Sequence, residues 1–360
     1  MDPMSDPRIF FLALLLTACT NPTTATLRDV DLFQSVQVPL IRDHTPVLTS
    51  DRTAPIIAGR QAVLRARLDV PADWTATDLT LQVELTSWGE THSFEATVED
   101  PPSDLIVAIP ADAITPTTRY TLTLSEDNTV HERYPDDGEA SLDPQTTGPL
   151  DLRLVPFEVN GFTPDTSPAV LNGLRDALFA VYPVTDVVIS VAEVQVWEGE
   201  PDLGDINVRV GELQETAMIA GEVSWRTYYY GMVTGVASRE AYEGITGTSE
   251  HGGDQELVRA YFAAGAAFGD QRSEDTLIHE LGHVHGLLHA PCDGEDNTDP
   301  GYPYAEGAIG VEGWDLRTGT FVPADAKDMM AYCYPRWISD YNYAKVADHV
   351  EAAQSYAGYE

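Results

Sequence analysis

The sequence predicts an N-terminal all-β sandwich of immunoglobulin-like type over residues 30–150, followed by an α/β domain over residues 151–360. Three observations carry that division. Apolar and polar residues alternate with a period of two through much of 62–124, the pattern of half-buried strands. After Leu152 strand-like runs alternate with helix-spaced ones, and histidines recur at helical spacing between His279 and His289. With 360 residues, 43% of them hydrophobic and 22% charged, the chain is long and apolar enough for two globular cores.

The first nineteen residues predict an export signal. Ile9 to Ala18 is apolar but too short to remain as a membrane-spanning helix. Leu16-Thr17-Ala18-Cys19 resembles a bacterial lipobox, so cleavage before Cys19 would leave a lipid-bearing N-terminus. The n-region departs from the pattern, with only Arg8 against Asp2 and Asp6, and a plain signal peptide is the alternative. Residues 20–29 then read as a tether.

In the sandwich, Ala62, Leu64, Ala66, Leu68 and Val70 alternate with more polar neighbours, and Leu79, Leu81, Val83 and Leu85 repeat the period. Leu105, Val107 and Ile109, then Tyr120, Leu122 and Leu124, continue it across turn-rich stretches such as Glu99-Asp100-Pro101-Pro102. No catalytic constellation lies here, so the expected role is a spacer or substrate-binding module, with a removable prodomain as rival. The acidic stretch Asp136 to Gly148 marks the boundary.

In the second part, Ser167-Pro168 opens a helix on which Leu171, Leu174, Leu178 and Val181 recur at helical spacing. Val187 to Val196 and Tyr228 to Val236 read as strands, and Ser273 as the start of the histidine-bearing helix. A last helix, capped by Ser339, carries Tyr343, Val346, Ala347 and Val350 on one face.

The run HELGHVHGLLH contains what a catalytic zinc site needs. On a helix His279 and His283 stand one turn apart on the same face, so both imidazoles can reach one metal ion. Gly286 can end the helix in a left-handed conformation, and the turn can return His289 as third ligand. Three protein ligands leave one position for a water of pKa about 7, and Glu280 is placed to take its proton. The implied chemistry is metal-assisted hydrolysis. His285 lies on another face and reads as a packing residue.

These residues fit HExxHxxGxxH at every fixed position, and here the sequence resembles the metzincin metallopeptidases. The resemblance implies a methionine turn under the metal, for which Met330 in Asp328-Met329-Met330-Ala331-Tyr332-Cys333 is the match. It also implies that Tyr332, two residues on, donates a hydrogen bond to the reaction's oxyanion. In metzincins an edge strand before the active-site helix pairs with extended substrate, which would place Val236 to Ile245 at the cleft. Asp299-Pro300-Gly301-Tyr302-Pro303-Tyr304, Gly310, Gly313-Trp314-Asp315 and Trp337-Ile338-Ser339-Asp340-Tyr341 resemble secreted bacterial metzincins of the dictomallein and mucin-degrading type. That likeness implies an α/β metzincin-type zinc endopeptidase acting on extracellular proteins or glycoproteins.

The charge excludes other functions. Fifty-eight acidic residues against 20 basic ones give a net charge of -38, a surface that repels nucleic acid and anionic lipid headgroups. Membrane contact is therefore expected only through a lipid on Cys19, at the bacterial cell surface, and the chain is expected to be monomeric. With Cys19 lipidated, Cys292 and Cys333 remain as an even pair in an oxidising compartment and are expected to form a disulfide, with two free thiols as the alternative. The loop Asp293, Glu295, Asp296, Asn297, Asp299 offers oxygen ligands for Ca2+ but lacks EF-hand spacing, and a solvated loop is the favoured reading. The alternative function is a surface adhesin whose zinc site is structural or inactive.

Overall fold

Alternating side chains sort the first part of the chain into two layers. The computed structural model describes residues 24–72, 74, 78–98, 104–199, 202–249, 261–292, 294 and 296–355. The signal segment with Cys19, the turn Glu99-Asp100-Pro101-Pro102, and Asp293 and Glu295 of the acidic loop lie outside the described residues. One antiparallel sheet holds β1 (Thr26–Phe33), β2 (Gln37–Arg42), β3 (Thr45–Pro46), β4 (Ala62–Asp69) and β7 (Asp104–Ile109), in the order β3-β2-β1-β4-β7. The other holds β5 (Leu79–Ser87), β6 (Glu90–Val98), β8 (Arg119–Glu126), β9 (Thr129–Tyr134) and β10 (Ala140–Ser141). Leu64 and Val107 of the first sheet share a buried core with Leu81, Val83 and Leu122 of the second, which fits the expected β-sandwich. The tether reading needs correction at its end, because β1 already begins at Thr26 and Leu27 is fully buried in the core.

The later residues build a six-stranded mixed sheet in the order β12-β11-β14-β16-β15, with a further strand, β13, also on β11. Its strands are β11 (Leu150–Val159), β12 (Val187–Val191), β13 (Gln195–Trp197), β14 (Tyr228–Val233), β15 (Gly247–Ser249) and β16 (Phe262–Ala266). All pairs are parallel except β15 on β16. Every residue of β14 is buried, as a parallel strand covered on both faces requires. α2 (Leu203–Ile219) covers one face with Leu203, Ile206 and Val210 against Phe157, Tyr229 and Val233. α1 (Pro168–Val181), α3 (Gln271–Val284) and α4 (Asp340–Ser355) belong to the other, larger core. The strand expected at Val187–Val196 is two short ones, and the segment 236–245 is not a strand but a turn with one 3-10 turn at Arg239–Ala241.

A buried arginine joins the sandwich to this α/β layer. Arg60 is fully buried; its guanidinium donates to the carbonyls of Gln34, Phe179 and Val184 and to the Ser35 hydroxyl. Two of those carbonyls lie at or just beyond the end of α1, where unpaired acceptors and the helix dipole favour a cation. The Ser35 carbonyl in turn receives the Trp314 amide at 2.9 Å and the Trp337 indole at 2.8 Å. The segment between the third histidine and α4 is thus fastened to the sandwich.

Candidate metal centre

α3 begins two residues before the expected Ser273. The Asp270 side chain accepts from the Ser273 amide at 3.0 Å, and Arg239 grips the same carboxylate. The helix ends in a Schellman turn. Gly286, at φ 78°, is the left-handed residue, with Leu287 N donating to Gly282 O at 3.1 Å and Gly286 N to His283 O at 2.8 Å. The chain then returns His289 beside the helix, its backbone pinned by His289 N to Asn297 O (3.2 Å) and Asp299 N to His289 O (2.8 Å).

The three histidines meet as their spacing predicts. One ligand nitrogen or another of each lies within 4.8 Å of those of the other two, and all three residues form the one group among the described residues able to hold a metal ion. Each Nδ1 faces a backbone carbonyl: His279 that of Met329 at 3.0 Å, His283 that of Leu287 at 2.8 Å, His289 that of Asp296 at 2.6 Å. A carbonyl only accepts, so each Nδ1 carries the proton and each Nε2 presents a lone pair. The His283 and His289 Nε2 atoms are 3.1 Å apart. Two lone pairs at that distance repel unless a cation lies between them, and Zn–N bonds of about 2.0–2.1 Å at a tetrahedral angle separate nitrogens by about 3.3 Å. The donor set fits zinc. Burial, with the neighbouring His283, pushes His279 down to about 3 against the pull of its carbonyl partner, leaving the neutral imidazole that ligates.

Glu280 is buried on the side of α3 that meets β15. Burial pushes its carboxyl up to about 7, with the Ser249 hydroxyl holding it back. At Gly247 a Cβ would overlap the Glu280 carboxylate, so the strand can pass this close only without a side chain. Neither Gly247 nor Ser249 was legible as a site residue, because Gly-Thr-Ser carries no apolar period.

Asp328 organises the methionine turn. Its buried carboxylate accepts from Met330 N at 2.8 Å, Ser339 N at 2.9 Å and Asn342 Nδ2 at 2.8 Å, and its carbonyl closes the turn on Ala331 N. Burial pushes this carboxyl up while the donors oppose it. Met330 is fully buried with its sulfur against Gly282, where a Cβ would overlap it. Met329 contributes its carbonyl to His279. Cys292 and Cys333 form a disulfide with their Cα atoms 6.2 Å apart, tying the loop after His289 to the turn after Met330. Tyr332, 53% exposed, places its hydroxyl 3.2 Å from His289 Nε2.

Two expected features fall away from the centre. His285 is buried, its Nδ1 on the Leu281 carbonyl at 2.7 Å and its Nε2 3.0 Å from the Tyr228 hydroxyl, a packing histidine as expected. Asp299, from the loop considered for Ca2+, is engaged by Lys345 Nζ at 2.7 Å, the Tyr341 hydroxyl at 3.0 Å and Gly301 N at 2.8 Å. Those bonds serve as structural ties to α4.

Residues 214–344 match the family model Peptidase M66, a segment that runs from α2 into α4 and contains the histidines, Glu280 and the methionine turn. The match supports a metallopeptidase. A solved chain described as "Structure of a chaperone-substrate complex" aligns at 13% identity with a TM-score of 0.32, covering 69% of this chain and 40% of that chain. A likeness at that level carries no argument. No curated protein matches the sequence.

Proposed function

We propose that this protein is an exported zinc endopeptidase of the metzincin type, built as a sandwich domain (30–150) and a catalytic domain (151–360). The observation that carries the reading is the convergence of three Nε2 lone pairs, each fixed by an Nδ1–carbonyl bond, beside the buried carboxyl of Glu280. Zinc held by His279, His283 and His289 would supply a Lewis acid and a water acidified to near neutrality.

The chain's own residues account for the rest. Glu280, held near 7 by burial, is matched to take a proton from water and to pass it to the departing amine. Among the described residues β15 is the outer strand of its sheet, and it begins directly over Glu280, so a substrate strand added to that edge would lie across the centre. The Tyr332 hydroxyl, exposed beside His289, is placed to donate to the oxyanion formed on the substrate carbonyl.

Secretion through the N-terminal segment, a lipid on Cys19, monomeric behaviour and glycoprotein substrates belong to the same proposal and rest on the sequence. No observation favours the adhesin alternative. The test is purified protein incubated with a protein substrate: about one zinc per chain, cleavage lost to a chelator and restored by added zinc are expected. Cleavage that persists in metal-free protein would end the proposal.

A further inference from the structure

Among the described residues, the arginine on the segment leaving the methionine turn has no carboxylate partner. Arg336 opens β20 (Arg336–Trp337), which pairs in parallel with β19 (Lys327–Asp328), so its backbone lies beside the strand that leads into the turn. Its guanidinium bends back along the segment: Nε donates to the Cys333 carbonyl at 3.3 Å and the group lies 4.4 Å over the Tyr334 ring. Tyr334 is 56% exposed, and its hydroxyl bonds Asp275 on α3, one turn before His279, with Arg272 close by.

Three other cations of this half of the chain are committed to carboxylates, whereas Arg272 on α3, close to Tyr334, is in no ion pair among the described residues. Arg317 pairs with Asp315 at 3.0 Å and Glu274 at 3.6 Å, Lys327 stands 3.9 Å from Glu306, and Arg239 pairs with Asp270. Among the described residues none places a carboxylate within ion-pair distance of Arg336, in a chain where acidic groups outnumber basic ones by 58 to 20. A guanidinium that has no carboxylate among the described residues and lies 4.4 Å over an exposed aromatic ring bonded to α3 can receive a planar carboxylate. The acidic surface repels such a group at long range, but about 8 Å of screening length at physiological salt leaves contact distances to the arginine.

We propose that Arg336 determines specificity by receiving a substrate carboxylate close to the scissile bond. The carboxylate comes either from an acidic side chain or from the substrate's own C-terminus. The inference rests on the peptidase reading for its setting, and the experiment separates the two. Short internally quenched peptides are made in Glu/Gln pairs at each position, as free acids and as C-terminal amides. Cleavage of each pair is measured with the zinc-loaded parent and with Arg336→Ala, Arg336→Lys and Arg336→Glu. Binding of the same pairs is measured by fluorescence with zinc-loaded Glu280→Gln, with and without Arg336→Ala.

The parent should favour Glu over Gln at one position, or the free acid over the amide, by about tenfold to a hundredfold, the worth of a charge-assisted bond pair. Arg336→Ala should flatten that ratio, Arg336→Lys keep part of it, and Arg336→Glu reverse it toward the neutral member of the pair. A fold defect would lower both members of a pair and leave the ratio standing. A parent without any carboxylate preference, or a ratio unchanged in Arg336→Ala, overturns the assignment. If nothing is cleaved while a binding preference still depends on Arg336, the peptidase reading falls and the carboxylate site stands.

Discussion

Gly247→Ala should silence catalysis while leaving the metal in place. The added Cβ would sit 2.6 Å from Cγ and Cδ of Glu280, where ordinary contact begins at 3.4 Å, so something must move by about 1 Å. The helix cannot yield readily. Its Ile278 carbonyl accepts from the buried Tyr182 hydroxyl at 2.8 Å, His279 is tied to Met329, and Gly282 rests on the Met330 sulfur. The displacement therefore falls on the Glu280 carboxyl or on β15. Misplacing a catalytic group by about 1 Å costs roughly a hundredfold in rate, and overpacking costs about 1–3 kcal/mol of stability. The assay is kcat on a cleaved peptide beside zinc content and a urea unfolding curve. A kcat within about twofold of the parent, at full zinc occupancy, would refute the placement of β15 over Glu280.

Three further outcomes follow from the same contacts. Replacing Cys292 and Cys333 together by alanine opens a 41-residue loop, which should cost about 4 kcal/mol in the chain-entropy model and loosen zinc retention more than secondary structure; unchanged melting and zinc content would count against it. Arg60→Ala strands buried carbonyls of Gln34, Phe179 and Val184, so chemical denaturation should show a loss of about 3–5 kcal/mol, and a loss under about 1 kcal/mol would mean the joint is idle. At Asp270 burial opposes ionisation, but Arg239 and Ser273 outweigh it and hold the carboxyl at about 2, below the usual 3.8. A folded value below the unfolded one means stability present above about pH 4 and lost as pH falls toward 2, a small effect because the side chain is 39% exposed. Asp270→Asn should flatten the acid-unfolding profile in that window, and an unchanged slope would show the pair to be inert.

The metal ligands were legible because helix periodicity and one glycine fix them locally: His279 and His283 share a face whatever surrounds the helix, and Gly286 supplies the turn that returns His289. Strands with clean alternation, such as Leu79–Ser87, were equally plain. What escaped depends on partners distant in sequence. Asp328 has a role only once Ser339 and Asn342 are brought to its carboxylate, and β15 has no pattern of its own to announce it. The metzincin resemblance put an edge strand at Val236 to Ile245, yet the strand forms later, where a residue without a side chain can pass Glu280. β1 escaped because a bulge between Val30 and Asp31 breaks its alternation. The buried Asp31 in it accepts from Gln37 Nε2 at 2.8 Å, a polar residue in a core position that pattern alone assigns to solvent.

Whether Glu280 serves as base beside a zinc held by the three histidines is decided by measuring zinc content and peptide cleavage together in Glu280→Gln, an isosteric change that leaves the histidines and their carbonyl partners untouched. About one zinc per chain is expected, as in the parent, with cleavage reduced by roughly a hundredfold to ten-thousandfold, the range of a lost general base. A Glu280→Gln protein that keeps its zinc and cleaves at the parent's rate would contradict that role.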